Sequence, residues 1–271
     1  MSDLSLDQTP HGWDAVVETY EQAFEPLTTQ YAEEAARLAG LKPGERVLDV
    51  AAGSGALTLA AAKVGAHVVA TDFSPQMIER LRARITKEKF ANVTAEVMDG
   101  QALEFPDNIF DAAFSVLGLM FFPDRGKGFS EMFRVLRPGG RAAVVAMGPH
   151  ERFRFGNILM RAIDSAVPNF PRKPRPGTEL GDPKRFESEM RNAKFKQVNI
   201  HTVTRVWTSP SPEWLWDHGK GMAPVITAIF KRLSPDEVAA AHKVFLEILH
   251  AEFGNGPVRL EADAHIGIGV K

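Results

Sequence analysis

Short apolar runs recur along the first half of the chain, separated by amphipathic stretches too long to be hairpin loops. Arg46 to Ala51, His67 to Thr71, Val93 to Met98, Phe110 to Val116 and Arg141 to Met147 each read as a buried strand. Between them, Gly55 to Lys63, Ser74 to about Lys89 and Gly126 to Leu136 read as helices, and Ser74 followed by Pro75 is a favoured helix start. Strands alternating with helices predict a parallel sheet covered on both faces, a doubly wound α/β architecture. Right-handed crossovers then gather the loops after the strands along one edge, where such folds bind ligands.

The flanks read differently. Residues 1 to 11 are polar and predict a flexible lead. Val16, Val17, Tyr20, Phe24 and Leu27 predict a helix from Trp13 to Tyr31, broken at Pro26, with a second helix to Leu41. Beyond Met147 the pattern predicts a helix from His150 to Val167, a basic Pro/Gly-rich loop from Pro168 to Pro183, and a helix from Asp182 or Pro183 to Asn192. A long strand from Lys196 to Val206 and a last strand from Ala264 to Val270 bracket a mostly helical piece, in which Ser234 and Glu237 are spaced as a capping box. That piece carries Trp207, Trp214 and Trp216, which suit a pocket wall and plain core packing equally.

Val47 to Ala62, VLDVAAGSGALTLAAA, is a strand, a glycine turn through Gly53 and Gly55, and a helix start. Such a turn lets a ligand approach the backbone, and the first helical N–H groups lack internal partners. The third glycine of a dinucleotide fingerprint is missing, and no Lys-Ser or Lys-Thr follows as in a P-loop. A nucleoside-containing ligand without a required pyrophosphate fits what remains. Asp72, after the second strand, can accept from two vicinal ribose hydroxyls. Asp99, after the third, can accept from an exocyclic amine, with Phe73 and Met77 as an apolar wall for a ring. Singly, each aspartate reads as a turn former; Asp49, Asp72 and Asp99 over three consecutive strand ends make a pattern.

Composition narrows the field. The 271 residues carry 32 basic and 34 acidic side chains, a net charge of −2, so no global field favours nucleic acid or an anionic membrane. Cysteine is absent, which excludes disulfides, thiolate chemistry and Cys-ligated metals. No HExxH occurs and the histidines do not cluster at ligand spacing, so no metal site is expected. The first residues look like no targeting leader and no apolar run reaches membrane-spanning length, so the expected location is cytoplasmic.

Asp49-Val-Ala-Ala-Gly-Ser-Gly55, Thr71-Asp-Phe-Ser-Pro-Gln-Met77, Met98-Asp-Gly100, Phe105-Pro-Asp-Asn-Ile-Phe-Asp111 and Phe133-Arg-Val-Leu-Arg-Pro-Gly-Gly140 resemble the successive motifs of class I S-adenosylmethionine-dependent methyltransferases. The branch they look most like holds the ubiquinone and menaquinone biosynthesis methyltransferases and many small-molecule enzymes. The resemblance implies a Rossmann-like, seven-stranded, mostly parallel sheet with a helical cap. It divides the chain into an N-terminal cap segment (1–40), an S-adenosylmethionine-binding core (41–206), a helical cap insertion (207–263) and a final core strand (264–271). It places Asp49, Ala51, Gly53 and Gly55 at the methionine portion of the cofactor and Asp72 at the ribose. Phe73, Met77, Asp99, Gly100 and Gln101 fall at the adenine, and Ser115 and Leu117 beside the sulfur.

The implied reaction moves a methyl group from S-adenosylmethionine to an O, N or activated C nucleophile, leaving S-adenosylhomocysteine. After the fourth strand, Ser115-Val-Leu-Gly-Leu-Met-Phe121 lacks the signature that grips an amide or base edge, so a small, largely apolar acceptor is expected. Candidates to take its proton are His150, then His11 and His218, with Tyr20 near the sulfonium. Arg152, Arg154 and Arg161, with Arg172, Lys173 and Arg175, read as a solvated basic face or as a grip on an acidic acceptor. A cyclase or isomerase on the same fold, and a non-enzymatic cofactor-binding regulator, are the alternatives.

Overall fold

The computed structural model describes residues 4–171 and 177–271. Arg172, Lys173 and Arg175 therefore lie outside the described residues. Among those described, seven strands form one sheet in the order β3-β2-β1-β4-β5-β7-β6. They are β1 (Arg46–Val50), β2 (His67–Asp72), β3 (Val93–Val97), β4 (Phe110–Val116), β5 (Leu136–Met147), β6 (Lys196–Ser209) and β7 (Val258–Val270). The first five pair in parallel, and β7 runs antiparallel between β5 and β6. The order reverses at β1, where the chain leaves one half of the sheet for the other. The tips of β1 and β4 flank that switch, the place where open α/β sheets hold ligands.

Eleven α-helices complete the described fold. The N-terminal cap holds α1 (Pro10–Asp14), α2 (Val17–Ala23) and α3 (Glu25–Leu38). Crossovers and flanking layers are α4 (Ala56–Val64), α5 (Pro75–Glu88), α6 (Arg125–Val135), α7 (Arg154–Ala166) and α8 (Pro183–Asn192). Helices α9 (Pro212–Gly219), α10 (Pro224–Phe230) and α11 (Pro235–Phe253) lie between β6 and β7. Local sequence explains most starts. Proline opens α5, α8, α9 and α11 behind a capping Ser or Asp, and Ser234 and Glu237 close the full capping box of α11. Burial follows the helical period: Ile78 and Leu81 of α5 pack with Ala70 and Ala95 of the sheet.

Three expectations need correction. Residues 4–11 are not a loose lead: a 3-10 turn (Leu6–Gln8) and the start of α1 fold back onto the body, and Asp7 is 1% exposed. Pro26 does not break a helix; it sits in the first turn of α3, where its missing N–H costs nothing, and the breaks fall near Ala15 and Phe24. The last strand begins at Val258 rather than Ala264, because Val258, Leu260 and Ala262 alternate inward against the long β6.

The tryptophans of the late segment pack. Trp207 donates to Ala23 O at 2.7 Å and meets Phe24 and Phe155 edge-on, which fastens β6 to the cap. Trp214 stacks on His218 and Trp216 on His242. Among the described residues, no helix is long and apolar enough to cross a membrane.

Candidate active site

The chain leaves β1 at Val50 and turns through Ala51, Gly53 and Gly55, all at positive φ (57°, 57° and 107°), before α4 begins. Gly55 is required twice over, since a Cβ there would also strike Leu81 of α5. Ala51 holds a left-handed conformation that glycine adopts more easily. Gly118, in the turn after β4, leaves room for it, because a side chain at 118 would collide with the Ala51 methyl.

Above this turn lies a cavity of about 370 Å³. Asp49, Ala51 and Gly53 floor it, Asp72, Phe73 and Met77 form one side, and Asp99, Gly100 and Gln101 the next. Val116, Leu117 and Gly118 close the side toward β4. Ten of the twelve cofactor residues expected from sequence thus line one cavity: Asp49, Ala51, Gly53, Asp72, Phe73, Met77, Asp99, Gly100, Gln101 and Leu117. Gly55 and Ser115 do not. Gly55 is taken up in packing against α5, and the Ser115 hydroxyl is buried, accepting from Leu119 N at 3.0 Å to hold the turn after β4.

The carboxylates differ in how they are held. Asp49 is 1% exposed; its Oδ2 accepts from Thr58 Oγ1 at 2.6 Å, while Oδ1 is buried without a hydrogen-bond partner. Burial pushes its carboxyl up to about 7, and the nearby charge of Asp72 adds to the rise. Asp72 accepts from Ser74 N at 2.9 Å and from Gly53 N at 2.8 Å, so it braces the glycine turn from the neighbouring strand. Burial raises it to about 6 against the pull of those two amides. Asp99 is exposed and accepts from Gln101 N at 2.8 Å, while the Gln101 side chain bridges Asp99 and the backbone of Asp124.

The N-terminal segment supplies a wall that sequence reasoning missed. Leu4, Asp7, Gln8, Pro10 and Trp13 line the cavity, with Phe121 and Phe122 from beyond β4. Trp13, just past the polar lead, was the available signal.

Trp13, Tyr20, Leu117 and Phe121 are also shared with a second cavity of about 100 Å³. Its remaining lining includes Phe24, Met120, Met147, Phe153 and Met222, and His150 stands at its edge. The His150 side chain is 68% exposed and paired with Glu151. Tyr20 donates to Thr28 Oγ1 at 3.2 Å, and burial with the charge of Glu25 pushes its phenol well above the usual range, so it stays protonated. His11 is exposed on α1 and lines neither cavity. His218 lies over Trp214 with Nδ1 2.9 Å from Trp214 O, also outside both. Arg152 pairs with Asp263 and Arg154 with Glu252, which accounts for these two arginines as structural ties.

Known proteins resemble this chain in sequence and in fold. The family described as methyltransferase domain matches residues 47–140, from β1 to the turn within β5. The demethylmenaquinone methyltransferase of Corynebacterium kroppenstedtii is 40% identical over 176 residues, 62% of this chain and 74% of that protein. An uncharacterised protein of Mycobacterium tuberculosis is 45% identical over 108 residues, 40% of this chain and 39% of its own length, so that match spans about two-fifths of the relative. Among solved structures, the YcgJ protein of Bacillus subtilis superposes with a TM-score of 0.55 at 20% identity, covering 89% of this chain and 98% of that one. The cyclase SpnF gives 0.60 at 17% identity over 98% and 96%. At these identities the structures attest the fold. The chain belongs to the class I S-adenosylmethionine-dependent methyltransferases, the family to which its motifs are similar.

Proposed function

We infer that the larger cavity holds S-adenosylmethionine and that the chain transfers its methyl group to a small, largely apolar acceptor seated in the smaller cavity. The observation that carries this is the buried, unpartnered Oδ1 of Asp49. A buried carboxylate oxygen without a donor is costly, and a ligand ammonium is the group that would relieve it. Asp72 would accept from the ribose hydroxyls with lone pairs left over from its two amide bonds, and Asp99 from the adenine amine. Phe73 and Met77 give that ring apolar faces.

When bound, the cofactor supplies an electrophilic methyl on a positively charged sulfur. The chain's own part is alignment and exclusion of water. Trp13, Tyr20, Leu117 and Phe121 form the common wall of the two cavities and would set the approach of the acceptor. The protonated Tyr20 hydroxyl is a donor, not a base. His150 is the imidazole among the residues lining the second cavity, and we assign it the acceptor's proton when that acceptor is a hydroxyl.

The Met and Phe lining favours an aromatic or aliphatic ring over a nucleobase, in keeping with a relative named for demethylmenaquinone. Nothing in the geometry favours cyclisation, since the likeness to SpnF is one of fold. The test is to incubate the protein with S-adenosylmethionine and a panel of apolar phenols, quinols and amines. The expected result is a product heavier by one methyl group together with S-adenosylhomocysteine; cofactor binding with no methylated product across the panel would overturn the assignment.

A further inference from the structure

The cavity's missed wall is held shut by a specific pair of carboxylates. Asp7 Oδ1 accepts from Val225 N at the start of α10, and its backbone oxygen accepts from Trp13 Nε1 at 2.8 Å. Asp14, at the end of α1, accepts through one oxygen from Ser74 Oγ at 2.6 Å and from Gln76 N at 3.1 Å. Ser74 is the cap of α5: its hydroxyl accepts from Met77 N, and its own N–H is one of the two donors that orient Asp72. Gln8, Pro10 and Trp13 line the cavity between those two attachments, and Asp7 and Leu4 line it at and before the first. A segment fixed at both ends across a cavity and wedged on one helix start leaves the ligand no exit past it unless an attachment lets go.

We propose that Leu4–Asp14 is a strap that must release for the cofactor to enter and leave, and that Asp14 is the positioning residue that couples strap closure to the orientation of Asp72. This rests on the cofactor reading given above. Asp14 touches no cavity surface itself; it acts through Ser74. When the strap swings away, Ser74 loses the acceptor of its hydroxyl and Gln76 loses its partner, so the turn carrying Phe73 and Met77 loosens together with the lid. Closing the strap restores both. The coupling therefore makes residence time, rather than encounter, the quantity that Asp14 sets.

The experiment follows S-adenosylhomocysteine binding to the full chain by stopped-flow tryptophan fluorescence, with Trp13 in the cavity wall as reporter. The concentration dependence separates the association rate from the dissociation rate. Losing the hydrogen bonds of this attachment costs on the order of 1 kcal/mol, so Asp14→Ala should raise the dissociation rate about fivefold with the association rate unchanged or faster. Asp14→Asn keeps an acceptor for both donors and should restore most of the residence time. A merely structural loss would lower the melting temperature and the active fraction without this split or this rescue. Unchanged dissociation in Asp14→Ala, beside a wild type that binds, overturns the strap alone. A wild type that gives neither fluorescence change nor heat with S-adenosylhomocysteine overturns the cofactor reading and the strap with it.

Discussion

The two cavities share a wall and are built on opposite principles. The larger one draws its polar groups from strand ends of the sheet: Asp49 and Asp72 lie in the last residues of β1 and β2, Asp99 follows β3, and backbone amides of the adjoining turns hold the last two. The smaller one is made of side chains sent in from α2, the turn after β4, the end of β5 and the cap after α9, more than half of them Phe, Met or Trp. Hydrogen-bonded carboxylates on a rigid sheet fix one ligand chemistry tightly, whereas soft apolar side chains on separate helices accept a class of shapes. One half of the cleft is thus committed and the other adaptable.

Protons sharpen that contrast most strongly. Asp49 and Asp72 have folded-state values raised to about 7 and about 6, above the 3.8 of a free aspartate. For the free protein the sign follows: these two groups add stability below their unfolded value, and that contribution is lost as pH rises through 6 and 7. A ligand ammonium reverses the preference of Asp49 and requires it ionised. Binding of S-adenosylhomocysteine should therefore weaken below pH 7, by up to about tenfold per unit for one proton released. Titration calorimetry in two buffers of different ionisation enthalpy measures that proton; a pH-independent affinity between 5.5 and 8 would break the distinction between the two cavities.

The adaptable half should respond to volume instead. Phe24 lines the smaller cavity and meets Phe153 and Trp207 edge-on. Removing such a ring enlarges the pocket and strips contact area. For Phe24→Leu the acceptor KM should rise several-fold, in line with the roughly 1–3 kcal/mol that a pocket contact supplies, with cofactor affinity held within about twofold. Steady-state kinetics with each substrate varied in turn checks this, and a larger loss on the cofactor side would show that the cavities are not separate in function.

The same division explains what could be read from sequence. Asp49, Asp72 and Asp99 were legible because a parallel sheet places every strand end on one edge, so position in the chain fixes position in space. The starts of helices α8 and α11 were legible from their caps. The strap was not: Leu4 to Pro10 carries no helical period, and what orders it is Val225, which lies far along the chain. Nor was the fate of the tryptophans, since Trp207 is buried by its partner Ala23 across the fold rather than by any neighbour in sequence. His150 ranked ahead of His11 and His218 from its place just past the fifth strand, and the three-dimensional packing puts it at a cavity and the other two away from both.

Asp72 is the carboxylate on which the cofactor site most directly depends. Isothermal titration of S-adenosylhomocysteine into the wild type and into Asp72→Asn, which preserves shape while removing the charge, measures it at pH 8. Hydrogen bonds to a charged group are worth about 1.5–3 kcal/mol, so the wild type should bind at a single site and the variant about thirtyfold more weakly, with its circular dichroism unchanged. Equal affinity in the two proteins would contradict the placement of a ribose at this carboxylate, and with it the assignment of the cavity.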